Sequence, residues 1–463
     1  MNSHDTSHVS GSVRVVQRGD YVIDGNSVVL PIGDALSLQT ELLHEVCFSE
    51  LRPLSEDLSI LLAAIKCADR SIRRQHSHGW SRQLYISVPV FELNTWKSSQ
   101  VTSALLNALD YLTGDSWQIK FVARTGKSTV SQSVPLLGSP DRRRIFIPFS
   151  HGLDSFAQSI LLKSADDGLD VIPIHLHSRK ANQSMKFAKP NSQRKTLSVP
   201  VSATVGERKN AELSFRSRPF LYDGFAAYAA ALSGGGTVVI PENGQGSLGA
   251  SLVRLGGEAP HRSSHPGFTS RLAVFFQALT GVKVDFSHPA LFQTKGQVLG
   301  ALNALRPNSS EWLISHTSCS YDSRHASRGK KQIHCGVCGN CLLRRVGLHA
   351  AKIDDVTPYK FQDLRVSRLE DSMHESDACK NLAAYRDVAH NGVRSMQRLA
   401  NVLLPTHRYR VTGELDGLSQ YLNRTVEDVG NDYLGMLNQH RQEWNDFLNS
   451  VGSNSWLASY IRG

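Results

Sequence analysis

The chain has 463 residues, 40% hydrophobic and 20% charged, with a net charge of +10. That length suits two or three domains with a sizeable core, and the composition excludes disordered and fibrous classes. No run of about 18 apolar residues occurs, so no membrane span is expected. Met1–Gly11 lacks the apolar centre of a secretory signal, which points to a cytoplasmic protein. The basic excess gathers in Arg142–Arg144, Arg179–Lys195 and Arg324–Arg345. It favours phosphate-bearing partners, nucleotide or nucleic acid, and a merely solvated basic surface explains it equally well.

In chain order, residues 1–12 read as disordered. Residues 13–31 alternate apolar and polar around Asp24–Gly25, which predicts a β-hairpin. Residues 55–75 carry helical spacing, Leu84–Leu93 alternates as a strand, Ser99–Leu112 reads as a helix and Trp117–Ala123 as a strand. Together they predict an N-terminal α+β domain over 13–140. From 141 to about 315 strands and helices alternate. The strands are Arg144–Phe149, Asp170–Leu176, Thr196–Val201, Thr237–Pro241 and Val282–Phe286. The helices are Ser155–Ala165, Arg218–Leu232, Phe268–Leu279 and Thr294–Leu305. This alternation predicts βαβ units in a doubly wound parallel sheet of an α/β domain, 141–350. Arg179–Lys195 is polar and basic, either a loop able to close over a nucleotide or a solvated excursion. Ala383–Leu404 and Leu434–Leu448 make 351–463 a helical C-terminal extension, for packing or partner contact.

The central stretch is Ile145–Ser155, I-F-I-P-F-S-H-G-L-D-S. An apolar run without alternation suits a strand covered on both faces. A tight turn into a helix then leaves the first helical N–H groups free to hold phosphate. The segment resembles the S-G-G-x-D-S signature of the PP-loop ATP pyrophosphatases through Ser150, Gly152, Asp154 and Ser155. It departs at His151, where that family has its first glycine. An ordinary strand–turn–helix corner with a capping residue is the bland alternative.

Seven cysteines occur, and Cys319, Cys335, Cys338 and Cys341 form C-x15-C-x2-C-x2-C. Four thiolates at this spacing can wrap one tetrahedral Zn²⁺, with Gly336 and Gly339 easing the turns. An iron–sulfur cluster is the runner-up. With every position filled by sulfur the metal braces a loop and performs no chemistry. His316, His325 and His334 read as local packing or hydrogen-bonding groups.

Taken together, the turn and the segment S-C-S…C-G-V-C-G-N-C-L-L-R-R resemble QueC, the 7-cyano-7-deazaguanine synthase family. R-S-R-P-F-L-Y-D-G-F-A-A-Y-A-A at 216–230, P-E-N-G at 241–244 and H-P-A-L-F-Q-T-K-G-Q-V-L at 288–299 resemble further QueC segments. The resemblance covers about 140–350. It implies a PP-loop (HUP-like, adenine nucleotide alpha hydrolase-like) fold and a ligase that uses ATP and Mg²⁺ to adenylate the carboxylate of 7-carboxy-7-deazaguanine, releasing pyrophosphate. It assigns ATP and pyrophosphate to Ser150, His151, Gly152, Leu153, Asp154 and Ser155, with Asp154 also helping to hold Mg²⁺. Lys295 would neutralise phosphate charge, and Arg218, Glu242 and Asn243 would contact the base. Their bland readings are a helix cap for Arg218, a helix-start lysine for Lys295 and a simple turn for Glu242–Asn243. The extra terminal regions resemble the enlarged QueC-like proteins of anti-phage systems, the QatC type, in which a partner protein would supply the acceptor amine. Ordinary queuosine-precursor synthesis, a PP-loop tRNA-modifying enzyme and a non-catalytic nucleotide-binding module are the alternatives; nucleic acid is not required by the first reading.

Overall fold

The computed structural model describes residues 11–17, 27–32, 36–38, 47, 53–74, 79–126, 143–150, 152–177, 197–203, 212–254, 256–321, 326–328, 331–374 and 381–462. The chain opens with strands β1 (Gly11–Val16), β2 (Ser27–Pro31) and β3 (Leu36–Leu38), then helix α1 (Pro53–Ser71). Strand β4 (Gln83–Val90), α2 (Leu93–Lys97), α3 (Ser99–Thr113) and β5 (Ser116–Ala123) follow. Next come β6 (Arg143–Pro148), α4 (Leu153–Ala165), β7 (Leu169–His177), β8 (Leu197–Ala203), α5 (Arg218–Leu232) and β9 (Gly236–Val239). A π-helical turn, Gln245–Gly249, precedes α6 (Pro266–Thr280) and β10 (Val284–Ser287). Then come α7 (Lys295–Leu305), α8 (Ser309–Ser315), the short strands β11 (Ser327–Arg328) and β12 (Lys331–Gln332), and α9 (Gly339–Ala350). The chain closes with α10 (Leu382–Ala400), α11 (Tyr409–Leu422), α12 (Val426–Val451) and α13 (Trp456–Arg462).

Two compact units result. The first comprises Met1–Ser150, Asp166–Ile240 and Gly257–Ser287 and contains two sheets. One has the order β2-β1-β4-β5 with every pairing parallel. The other has the order β10-β9-β6-β7-β8-β3, parallel except for the antiparallel edge strand β3. Ile145, Phe146 and Ile147 of β6 are buried in succession, as a strand covered on both faces requires. Helix α1 is buried on nearly every side and packs against β4, β1 and β8, so one core runs through both sheets. The expected hairpin over 13–31 does not form: β1 pairs parallel with β2, Val13 beside Val28. A parallel pair cannot be closed by a two-residue turn; Asp24–Gly25 itself lies outside the described residues.

The second unit comprises His151–Ala165, Pro241–Gly256 and His288–Gly463, and it is mainly helical. Leu153, Ala157 and Ile160 of α4 pack with Val298, Leu299 and Leu302 of α7 and with Leu348 of α9. The C-terminal helices contribute Val393, Met396, Trp444 and Trp456 to a core shared with Leu342 and Val346 of α9. Among the described residues no helix is long and apolar enough to cross a membrane.

A buried ionic network ties the first unit together. Asp115 receives Arg74 at 2.5 and 2.8 Å and the Arg82 guanidinium at 2.7 and 3.2 Å. Arg82 also reaches Asp69 at 2.6 Å, and Asp69 accepts the Ser217 N–H at 2.7 Å. Every oxygen of both carboxylates is therefore hydrogen-bonded, the condition under which buried charge is tolerable. Asp115→Ala leaves two arginines without their shared partner. It should cost about 3–5 kcal/mol, read as a lower urea midpoint by circular dichroism; an unchanged midpoint would refute this account of the network.

Candidate active site and metal centre

Lys295 is the first residue of α7, and its backbone is held before its side chain acts. Thr294 caps the helix: its Oγ1 accepts the Gln297 N–H at 3.2 Å, and Gln297 Oε1 accepts the Thr294 N–H at 2.8 Å. Thr294 Oγ1 also donates to Glu443 Oε1 of α12 at 2.5 Å. The Lys295 N–H donates to Gln245 Oε1 at 2.7 Å, while Gln245 Nε2 donates to His440 Nδ1 at 2.8 Å. His440 Nε2 donates onward to the Met396 carbonyl at 3.1 Å, which fixes its tautomer. Burial pushes the His440 pKa down to about 4, so the ring is neutral and free to accept from Gln245.

The lysine side chain then runs past Gly347, where any Cβ would lie 3.2 Å from Lys295 Cβ and Cγ. Its Nζ donates to both oxygens of Asp154, at 2.8 and 2.6 Å. Side-chain exposure is 4% for Lys295 and 22% for Asp154, so water screens the pair poorly. Asn243 Nδ2 bridges Asp154 Oδ1 at 3.1 Å and Glu242 Oε1 at 2.9 Å. Asn243 Oδ1 in turn accepts the Gly246 N–H at 3.2 Å. A Cβ at Gly246 would collide with the Glu242 carboxyl, so a larger residue there would displace that side chain. Burial, then the neighbouring Asp154 charge, raises Glu242 to about 7 against the opposing pull of Lys295.

Four of the residues singled out in the sequence, Asp154, Lys295, Glu242 and Asn243, thus meet in the second unit. Leu153 is buried in the apolar core and its N–H is taken by the Thr317 carbonyl at 3.1 Å. Ser155 is buried and its Oγ donates to the Gly152 carbonyl at 3.0 Å. The N–H groups of Asp154 and Ser155 belong to the first helical turn and have no intrahelical acceptor. Ser150 and Arg218 belong to the first unit, where both are exposed and Arg218 stacks over Tyr222 at 5.2 Å. His151 and Arg179–Lys195 lie outside the described residues. Gln245, Thr294, His440 and Glu443 escape a sequence reading. Of these only Thr294 carries a local signal, the T-x-x-Q capping pattern ending at Gln297.

The four cysteine sulfurs lie within 4.8 Å of one another, with Cys335 and Cys341 Sγ 3.8 Å apart. Tetrahedral metal–sulfur bonds of about 2.3 Å place sulfurs about 3.8 Å apart, so the set fits a metal ion. Backbone N–H groups already point at the sulfurs: Cys335 to Cys319, and Cys338 to Cys335, each at 3.3 Å. Gly336, at φ +90°, makes the turn between them. His334 accepts the Ser318 N–H at 3.1 Å and His316 lies 2.9 Å from the Trp312 carbonyl through Nδ1, so both rings are engaged in the protein framework. His325 lies outside the described residues. No protein-family model matches the chain, and no curated protein matches it either.

Elemental analysis should find one thiophilic divalent ion per chain, and Cys338→Ser should remove it; metal retained in that variant would refute the four-thiolate site. Glu242 gives a pH test. Its folded pKa, about 7, stands above the ordinary carboxylate value, so folding takes up a proton between the two. Its stabilising contribution is full below the ordinary value and is lost as pH rises through 7. Relative to the parent, Glu242→Gln should therefore gain stability between pH 5 and pH 8, by at most about 3 kcal/mol. Urea unfolding at both pH values measures this, and an identical difference at each would exclude Glu242 as the titrating group.

Proposed function

We propose that this chain is an ATP-dependent enzyme of the QueC type. It adenylates the carboxylate of a 7-carboxy-7-deazaguanine-like base and transfers the activated acyl group to an amine nitrogen. One observation carries the reading: Asp154, Glu242–Asn243 and Lys295 come from three separate motif segments and form one hydrogen-bonded cluster. The strand order adds support, since β6 and β9 are neighbours in the sheet and lead directly into S-x-G-x-D-S and P-E-N-G. The four-cysteine set, read as structural zinc, completes the pattern; with no open coordination position it braces the fold.

In the proposed reaction a carboxylate oxygen of the base attacks the α-phosphorus of ATP. The bond to the bridging oxygen breaks and pyrophosphate leaves. An amine nitrogen then attacks the acyl carbon, AMP departs and the nitrogen loses a proton. The Lys295 ammonium neutralises charge that develops on the phosphates, and the first-turn N–H groups of Asp154 and Ser155 donate to phosphate oxygens. Asp154 orients Lys295 and would help hold Mg²⁺, which would supply further charge neutralisation. Glu242 and Asn243 offer acceptor and amide contacts to a purine-like base. Both terminal regions extend beyond the QueC-like portion, which favours a partner protein's amine as acceptor and a role in anti-phage defence over ammonia and queuosine-precursor synthesis.

Metal-replete protein incubated with Mg²⁺-ATP and 7-carboxy-7-deazaguanine should form AMP and pyrophosphate only when the base is present. Lys295→Met and Asp154→Asn should each lower that rate by about 100-fold or more. Mass spectrometry with ammonium or a partner protein added then identifies the acceptor. Absence of base-dependent AMP would overturn the assignment.

A further inference from the structure

The segment leading into Cys319 is held on several sides. Arg344, fully buried on α9, donates from Nη1 to the His316 carbonyl at 3.0 Å and to Ser318 Oγ at 3.2 Å. Its Nη2 donates to the Leu313 carbonyl at 2.7 Å and its Nε to Thr357 Oγ1 at 3.1 Å. Ser318 N–H donates to His334 Nε2, next to Cys335, and the His316 ring stacks on Phe156 of α4 with centroids 4.0 Å apart. Between these anchors, Thr317 pairs in parallel with Gly152, and its carbonyl accepts the Leu153 N–H at 3.1 Å. Cys319 follows two residues later.

Each of these acceptors is neutral, so among the described residues the guanidinium forms no carboxylate pair. What it does geometrically is cross-link three backbone stretches, 313, 316–318 and 357, from the helix that also carries Cys341. Cys341 and Arg344 are three residues apart and share one helix face. A displacement of α9 or of Cys319 therefore reaches Thr317 through covalent bonds and a handful of hydrogen bonds, and Thr317 fixes the backbone at the start of α4.

We propose that His316–Cys319 is a strap through which Arg344 and the metal-bound Cys319 set the Gly152–Leu153 turn, which makes Arg344 a positioning residue for that turn. The strap's value to catalysis rests on the function proposed above; the mechanical coupling does not. Hydrogen exchange read by mass spectrometry on the full chain separates the two, because it needs no substrate. It compares zinc-loaded parent, zinc-stripped parent and zinc-loaded Arg344→Lys, with zinc content measured for each.

Peptides covering 152–156 should exchange about 10-fold faster in the stripped protein and in Arg344→Lys, the loss of roughly one hydrogen bond. Peptides from α12 should keep their protection. Loosening confined to 319–341 would overturn the proposal. So would loss of protection throughout the second unit on zinc removal, since the metal would then hold the whole body and no local strap. Should Arg344→Lys fail to fold, Ser318→Ala removes a single strap contact; an unchanged 152–156 peptide in that variant counts against the proposal. A positive exchange result without base-dependent AMP formation keeps the strap and removes the catalytic reading.

Discussion

An ammonium group withdrawn from water must be paired at close range, and in this chain Lys295 depends on Asp154 for that. Two short contacts, 2.6 and 2.8 Å, offset the desolvation of both ions only because Asn243 also donates to the carboxylate. The pair has a cost for its neighbour. Glu242 shares the Asn243 amide with Asp154, and a second buried negative charge beside one cation is unfavourable. Burial first, and the Asp154 charge second, therefore move its carboxyl to about 7, poised near neutrality beside the Lys295–Asp154 pair.

That arrangement needs a backbone that does not yield. Gln245 and Thr294 supply it from either side of the α7 N-terminus, and both are held in turn by α12 through His440 and Glu443. The C-terminal helices are thus part of the frame around the cluster. The cysteine centre belongs to the same unit. Four thiolates around a divalent ion carry two net negative charges, and Arg344 and Arg345 follow Cys341 within one helical turn. The two guanidiniums find only carbonyl, hydroxyl and aromatic partners by direct contact among the described residues, so a dianionic centre in their neighbourhood fits the charge balance.

Where the sequence is readable, the signal is local. The uninterrupted run Ile145–Phe149 and the turn after it, the helical spacing of 99–112, and the C-x2-C-x2-C steps each report on neighbours a few residues apart. The strand pairing of 13–31 is not legible in this way, because alternation is the same in parallel and antiparallel strands, and a D-G pair signals a turn wherever it falls. That one core runs through both sheets is likewise not legible, because α1 is buried on nearly every side among residues far apart in the chain. Asp154, Glu242, Asn243 and Lys295 stand out through the resemblance of their segments to the PP-loop and QueC motifs; local pattern alone reads them as a helix start and a turn. His440 and Glu443 do not, since a lone polar residue in an amphipathic helix looks the same whether it faces solvent or carries a buried hydrogen bond.

The pre-formed lysine also bears on how a phosphate would be received in the proposed reaction. A lysine whose backbone is held by Thr294 and Gln245, and whose ammonium is already ordered by Asp154, loses little side-chain freedom when an anion arrives, so less binding energy is spent on fixing it. The anion must instead compete with Asp154. That competition is selective, because a polyanion reached by the neighbouring helix N–H groups can match a carboxylate as a partner and a neutral ligand cannot. A buried, paired lysine beside a helix start is therefore a better discriminator for phosphate than the same lysine free in solvent, and the near-neutral Glu242 keeps the cluster from becoming too negative to accept it.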